Sequence, residues 1–320
     1  MALCMLSMGL ISRADDGGKA WAIVRFAQAN ASVDISVESS GRQGYCVPSQ
    51  IHDELTVQLQ PLREGATLEE EGVELLDIAS GLAAVGVTPA SLDLHLQAHR
   101  AAIGSALLSA VEKHYGMRAI HLADTSRVSG GARYGDATVR DTASPTLRGS
   151  HHSFHMDKNF ESVSRLFGGN ASEAVERTID NFHALWLPDW ARLGVSREAA
   201  AAAMLDDGGQ MINCWVALTP GGVVQEPMAF IDRRSLQAGR STVITAPVSF
   251  PGLLEDTISI IRAPAAENAT FLWRPAMRFG EVAVFRTVDT PHSAVRVTGM
   301  PSVPRQSAEM RMLLLHESRD

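Results

Sequence analysis

The sequence predicts an α+β chain: a helical N-terminal region supporting a β-rich C-terminal half of sandwich or jelly-roll type. Three observations carry this. A long apolar repeat at near-helical spacing occupies residues 91–115. From Met211 onward the texture changes to short apolar runs punctuated by Gly, Pro and Asp. No Pro- or Ser-rich linker separates the two textures, so residues 1–320 are expected to form one domain. Within it, residues 1–149 are the supporting region and residues 150–315 the core.

Leu96, Ile103, Leu107, Val111 and Tyr115 recur at helical intervals, and Gly116 ends the run. Residues 33–37 and 118–123 read as strands, and the Gly- and Thr-rich residues 129–149 as a loop. Residues 161–205 read as a mostly helical insertion carrying Trp186 and Trp190. The candidate strands of the C-terminal half are Met211–Leu218, Pro227–Ile231, Ser241–Thr245, Thr257–Ile261, Glu281–Thr287 and Glu309–Leu315.

Composition narrows the function. Hydrophobic residues make up 45% of the chain and charged residues 20%, and the formal net charge is -8. No run of Lys or Arg exceeds two, so no basic patch for nucleic acid or an anionic membrane is expected. Cys4, Cys46 and Cys214 form no C-x-x-C pair, which fits a reducing, cytoplasmic setting and makes Cys214 a core residue. The apolar start lacks a basic lead and a small-x-small cleavage site. Asp15 and Asp16 follow it, so a secretory leader is not expected. No stretch reaches the length of a membrane span.

The chemistry concentrates in the segment Gly149 to Asp157, which reads G-S-H-H-S-F-H-M-D. In an extended chain, side chains alternate faces. His155 and Asp157 then share one face, while Phe154 and Met156 take the other. His151 and His152 are read as flanking residues. His292 follows Asp157 by 135 residues, after the predicted strand at Glu281–Thr287, and Arg305-Gln306-Ser307 opens the last strand. Two imidazoles and one carboxylate leave three positions of an iron(II) ion open for a chelating oxo acid and dioxygen. An arginine can pair with the far carboxylate of 2-oxoglutarate, and a hydroxyl can add a further bond. The expected metal ligands are therefore His155, Asp157 and His292. If the last strand starts by Arg305, then Arg305, Ser307, Glu309 and Arg311 share a face pointing inward. Arg305 and Ser307 are the first choice for the oxo-acid carboxylate, Arg311 the reserve and Arg296 a distant third. Asn213 is a further candidate contact for cofactor or substrate, since strand interiors rarely hold an unpaired Asn. Asp232-Arg233-Arg234 reads as a solvated turn with a local ion pair.

At these residues the chain resembles a group of iron(II)/2-oxoglutarate oxygenases, the family of cephamycin-pathway hydroxylases and fungal gibberellin desaturases. The resemblance runs through His155-Met156-Asp157, Ile212-Asn213-Cys214-Trp215 to Leu218, and Pro227-Met228-Ala229 to Asp232-Arg233-Arg234-Ser235. It continues through Trp273, Asp289-Thr290-Pro291-His292 and Arg305-Gln306-Ser307-Ala308-Glu309-Met310-Arg311. It spans roughly residues 150–315. Two departures stand out: Val216-Ala217 where the family carries Arg-Pro, and Phe271-Leu272-Trp273-Arg274 where it carries His-Arg-Trp-Tyr. The resemblance implies a double-stranded β-helix, with Fe(II) and 2-oxoglutarate as cofactors. It also implies hydroxylation or desaturation of a small molecule by dioxygen in secondary metabolism. Asp157 fills the position a halogenase would leave for chloride, which argues against halogenation. Two other classes stay open: a catalytically silent small-molecule binder on the same fold, and an oxygen-independent metal hydrolase or isomerase. The substrate and the oligomeric state are not legible.

Overall fold

The computed structural model describes residues 19–27, 52–129, 147–148, 154–157, 194, 196, 211–223, 226–236, 243–248, 256–300 and 305–315. The expected strand at residues 33–37, nearly all of the 129–149 loop, His151, His152 and all but two residues of the 161–205 block lie outside them.

Among the described residues, two α-helices, two short 3-10 helices and fifteen strands follow one another along the chain. The first strands are β1 (Ala20–Ala27), β2 (His52–Pro61) and β3 (Val73–Asp77). Helices α1 (Ala79–Ala84) and α2 (Gln97–Tyr115) come next, then β4 (Arg118–Ser129), β5 (Leu147–Arg148), β6 (His155–Met156), β7 (Met211–Ala217) and β8 (Met228–Ile231). The chain continues with β9 (Val243–Val248), β10 (Asp256–Ile261), β11 (Phe271–Trp273) and β12 (Glu281–Arg286). It ends with β13 (His292–Ala294), β14 (Arg296–Val297) and β15 (Arg305–Leu315).

The strands form two sheets. One has nine strands in the order β14-β1-β2-β11-β8-β13-β6-β10-β9, the other six in the order β3-β12-β7-β15-β4-β5. Pairing is antiparallel except for β11 with β2 and β4 with β5. This is the curled, mostly antiparallel core of a double-stranded β-helix, as the sequence implied.

Alternation sorts the core into three apolar layers. Ile212, Cys214, Val216, Val282, Val284, Met310, Met312 and Leu314 pack against Ile103, Leu107 and Val111 of α2. Their alternate neighbours Trp215, Ala217, Ala283 and Phe285 turn the other way and meet Phe230, Met228 and Leu272 of the nine-stranded sheet. Phe154, Met156, Ala229, Ile231, Trp273 and Phe26 line that sheet's outer face. Strand β7 is buried on both faces because helices cover one side and the second sheet the other, which explains its unbroken apolar run.

The N-terminal region is less helical than its sequence suggested. Helix α2 ends at Gly116 as expected, with φ of 63° and its N–H donating to Glu112 O. It starts at Gln97 rather than residue 91. Ser91 Oγ donates to Gly86 O, and Asp93 Oδ1 accepts from His95 N, so these side chains hold the preceding segment in turns. Strands β1 and β2 extend the nine-stranded sheet, and β3 flanks β12. Strand β4 runs to Ser129, and the last strand begins at Arg305, four residues before the expected start at Glu309.

Gly280 introduces β12 at a point where only glycine fits. Its φ is 85°, and a Cβ there would stand 2.7 Å from Ala79 N, Cα and Cβ. Its N–H donates to Ala217 O at 2.8 Å, and its carbonyl accepts from Ile78 N at 2.9 Å, so the backbone is pinned on both sides. Gly280→Ala is expected to cost about 2–4 kcal/mol, combining the left-handed conformation with overpacking. Urea unfolding checks this, and a change under about 0.5 kcal/mol, the range of an ordinary surface substitution, would remove the argument.

Candidate metal centre

Strand β6 lies between β13 and β10, and its His155 pairs directly with His292 on one side and Ile260 on the other. Directly opposed residues of antiparallel strands project from the same face with Cβ atoms about 5 Å apart. The two imidazoles therefore meet over the sheet, with ring centroids 4.4 Å apart. Phe154 and Met156 turn to the outer layer, as alternation requires. Asp157 leaves β6 on the His155 side, and its Oδ1 lies 3.5 Å from His155 Nε2. One ligand atom from each of His155, Asp157 and His292 falls within 4.8 Å of the other two. Two buried histidines and one nearly buried carboxylate thus converge from positions 135 residues apart. Among the described residues no other such group of three His, Cys, Asp or Glu occurs.

The chain reaches His292 by crossing from one sheet to the other. Strand β12 belongs to the six-stranded sheet and β13 to the nine-stranded one. The turn between them carries Asp289 at φ of 76°. Phe285, near the end of β12, faces back across the interior, with its ring centroid 4.5 Å from that of His292 and 5.2 Å from that of Phe230. One wall beside the histidines is therefore apolar.

The protonation states suit a metal. His292 Nδ1 donates to Thr290 O at 3.0 Å, which leaves Nε2 as a free lone pair. Burial and the neighbouring His155 lower the His292 imidazole to about 4, against the pull of Asp157 and Glu309. Burial alone would raise Asp157. The Arg311 guanidinium, with the His155 hydrogen bond and both imidazoles, overcomes this and holds the carboxyl well below its ordinary range. A neutral imidazole and an ionised carboxylate are the forms that bind a divalent cation.

The remaining candidates lie on the facing sheet. Arg305, Ser307 and Glu309 are buried and Arg311 nearly so. Their alternate neighbours Met310 and Met312 pack toward α2, so the four share the inward face. Arg311 reaches Asp157, with Nη2 2.5 Å from Oδ2, and its Nε donates to Asn213 Oδ1 at 3.1 Å. Asn213 Nδ2 donates to Asp157 Oδ2 at 2.5 Å and lies 3.5 Å from Glu309 Oε1. Arg305 stands with its Cζ 5.3 Å from the centroid of the Trp215 ring, and its Nη1 donates to Glu226 O. Trp215 pairs with Glu309 across strands, so Arg305 leans over a ring rooted toward the Asp157 end. Arg296, the distant third choice, is corrected: it is exposed on β14, where side chains alternate away from buried Val295 and Val297. The Asp232 turn is the expected local ion pair, with Arg234 Nη2 2.7 Å from Asp232 Oδ2.

Reading the sequence missed three contributors. Thr287 Oγ1 donates to Asn213 Oδ1 at 2.8 Å. Phe285 packs on His292. The Trp215 indole N–H is buried without a hydrogen-bond partner. The signal for all three was the two-residue period through Asn213-Trp215 and Phe285-Thr287. The two family departures also separate: Val216 faces the helices, whereas Ala217 and Leu272 face the space between the sheets.

A family profile described as "Oxidoreductase/YMDC permease-like domain" matches residues 189–315, less than half of the chain. No curated protein sequence matches. Among solved structures, the chain is similar to "iron and alpha-ketoglutarate-dependent endoperoxidase NvfI" at a TM-score of 0.53 and 13% identity, covering 93% of this chain and 98% of that one. A tryptophan-to-phenylalanine variant of that enzyme aligns at a TM-score of 0.54 and 13% identity, covering 93% and 97%. The same enzyme in a different conformation aligns at 0.54 and 13%, covering 93% and 98%. This likeness shows a shared fold across nearly the full length. No described helix is long and apolar enough to cross a membrane.

Proposed function

We propose that the protein is an iron(II)- and 2-oxoglutarate-dependent oxygenase that hydroxylates or desaturates an unactivated C–H bond of a small molecule. We place it with the family of cephamycin-pathway hydroxylases and gibberellin desaturases. One observation carries the reading. The cross-strand pair His155/His292 and Asp157 converge on the inward face of one sheet, and buried Arg305 lies on the inward face of the other. The structural neighbour described as iron- and alpha-ketoglutarate-dependent supports it through the shared fold.

The donor set fits iron(II): two imidazoles and one carboxylate in place of the thiolates of a structural zinc site. The interior also fits the oxo acid. Arg305 is a buried cation, and the Trp215 N–H beside it is a buried donor lacking an acceptor. An unsatisfied buried donor costs about 1–3 kcal/mol, which a bound carboxylate would offset. Bound iron would supply the activation of dioxygen. The balanced reaction is 2-oxoglutarate, dioxygen and R–H giving succinate, carbon dioxide and R–OH. The protein's own residues set the conditions for it. His292 is held neutral by burial and by the neighbouring His155, and Thr290 O orients its ring. Asp157 is held ionised by Arg311. Phe285 and Phe230 keep water from the histidine side. Ala217 and Leu272 present small and apolar surfaces where the family carries Pro and Arg, so the substrate pocket differs from that of the family.

The iron-loaded protein should form succinate from 2-oxoglutarate slowly even without substrate, and only with dioxygen present. Succinate formation that persists without dioxygen, or none at all with iron bound, would sink the reading.

A further inference from the structure

We infer that Arg311, Asn213 and Thr287 form a clamp that restricts Asp157 to one metal-binding oxygen. The inference rests on the metal-centre reading above. Asp157 Oδ2 accepts from both Asn213 Nδ2 and Arg311 Nη2, each at 2.5 Å. Two donors fill the two lone-pair directions of that oxygen. Oδ1, facing His155 Nε2 at 3.5 Å, is the oxygen left for an ion.

The clamp is itself fixed. Asn213 Oδ1 accepts from Arg311 Nε at 3.1 Å and from Thr287 Oγ1 at 2.8 Å. Its amide nitrogen faces two carboxylates, Asp157 and Glu309. A flipped amide would set its oxygen against Asp157 and its nitrogen against two donors, so only one orientation is satisfied. Strand register explains why these residues meet. Asn213 pairs with Arg311 on β15 and with Phe285 on β12, and Thr287 follows Phe285 on the same face. Arg311 and Asn213 belong to the six-stranded sheet and Thr287 directly follows its strand β12, whereas His155 and His292 belong to the nine-stranded sheet and Asp157 directly follows its strand β6. One sheet supplies the ligands, and the other sets the posture of the carboxylate.

The posture matters for the count of open positions. A six-coordinate ion with two imidazoles and one carboxylate oxygen keeps three positions, enough for a chelating oxo acid and dioxygen. A two-oxygen carboxylate would leave two, and the oxo acid would fill both. Arg311 and Asn213 are thus positioning residues rather than the direct cofactor contacts that the sequence suggested.

Manganese(II) provides the test, because it binds oxygen and imidazole ligands without redox turnover and its bound waters are countable by proton relaxation. The wild-type protein is expected to hold Mn(II) with about three exchangeable waters, and Arg311→Met and Asn213→Ala with about two. Arg311→Lys keeps a cationic donor beside Oδ2 and is expected to restore the third water. Asn213→Ala leaves no charge unpaired and gives the answer if Arg311→Met does not fold. With 2-oxoglutarate added, the wild type should retain one water and the two variants none. Three waters in every folded variant would overturn the clamp while leaving the metal centre intact. A purely structural network would lower the melting temperature of the metal-free variants and leave the water count at three. Failure of the wild-type protein to bind Mn(II) would instead remove the metal-centre reading on which the clamp depends.

Discussion

Alanine at position 292 is expected to abolish iron binding and turnover while leaving the fold standing. The loss should exceed the roughly 10–100-fold that follows removal of an outer-shell partner of a metal site. His292 is the clean probe because it is neutral and buried. Its removal strands no charge; it forfeits the Nδ1–H bond to Thr290 O, worth about 1 kcal/mol, and the ring contacts with Phe285 and His155. Asp157→Ala is a poorer probe. It would remove the Oδ2 partner of the nearly buried Arg311 guanidinium, at a cost of about 3–5 kcal/mol, and confuse misfolding with metal loss. Iron content after anaerobic reconstitution, read beside circular dichroism, checks the expectation. A His292→Ala protein that retains stoichiometric iron would contradict it.

The second large effect concerns the cofactor's far carboxylate. Arg305→Ala is expected to raise the 2-oxoglutarate requirement about 30-fold or more while iron still binds, since losing a buried charged partner costs about 2–5 kcal/mol. Arg305 also donates to Glu226 O and packs over Trp215, so a general loosening must be separated from a lost carboxylate contact. A 2-oxo acid without the distal carboxylate makes the separation: its binding should be equal in the wild type and in Arg305→Ala. Trp215→Phe, which deletes the indole N–H and keeps a ring, should produce a smaller rise in the same direction. If Arg305→Ala leaves the requirement unchanged, the far carboxylate is not held by Arg305.

The candidate ligands were legible because a strand has a period of two. Alternation alone puts His155 and Asp157 on one face of an extended segment and Met156 on the other. What the string of residues could not show was that His292 stands directly across from His155. That register depends on the crossing from β12 to β13, where Asp289 takes a positive φ that no local rule demands. The same limit governed the arginines. Alternation placed Arg305 and Arg311 on one inward face. Which end of β15 meets the carboxylate is decided by how the two sheets pack, and that brings Arg311 to Asp157. Strand β1 escaped notice for a different reason. The side opposite its buried residues carries Trp21 and Ile23, so Ala22, Val24 and Phe26 lack the polar contrast that reveals alternation. Strands β11 and β13, three residues each, are too short to show a period.

The most direct measurement is the anaerobic visible spectrum of the iron(II) protein titrated with 2-oxoglutarate. Chelation of the oxo acid to iron held by His155, Asp157 and His292 predicts a charge-transfer band that saturates at one equivalent, is missing in His292→Ala, and needs more 2-oxoglutarate in Arg305→Ala. An iron-loaded wild-type protein that shows no band at saturating 2-oxoglutarate, or a band that survives His292→Ala unchanged, would contradict the assignment of this site.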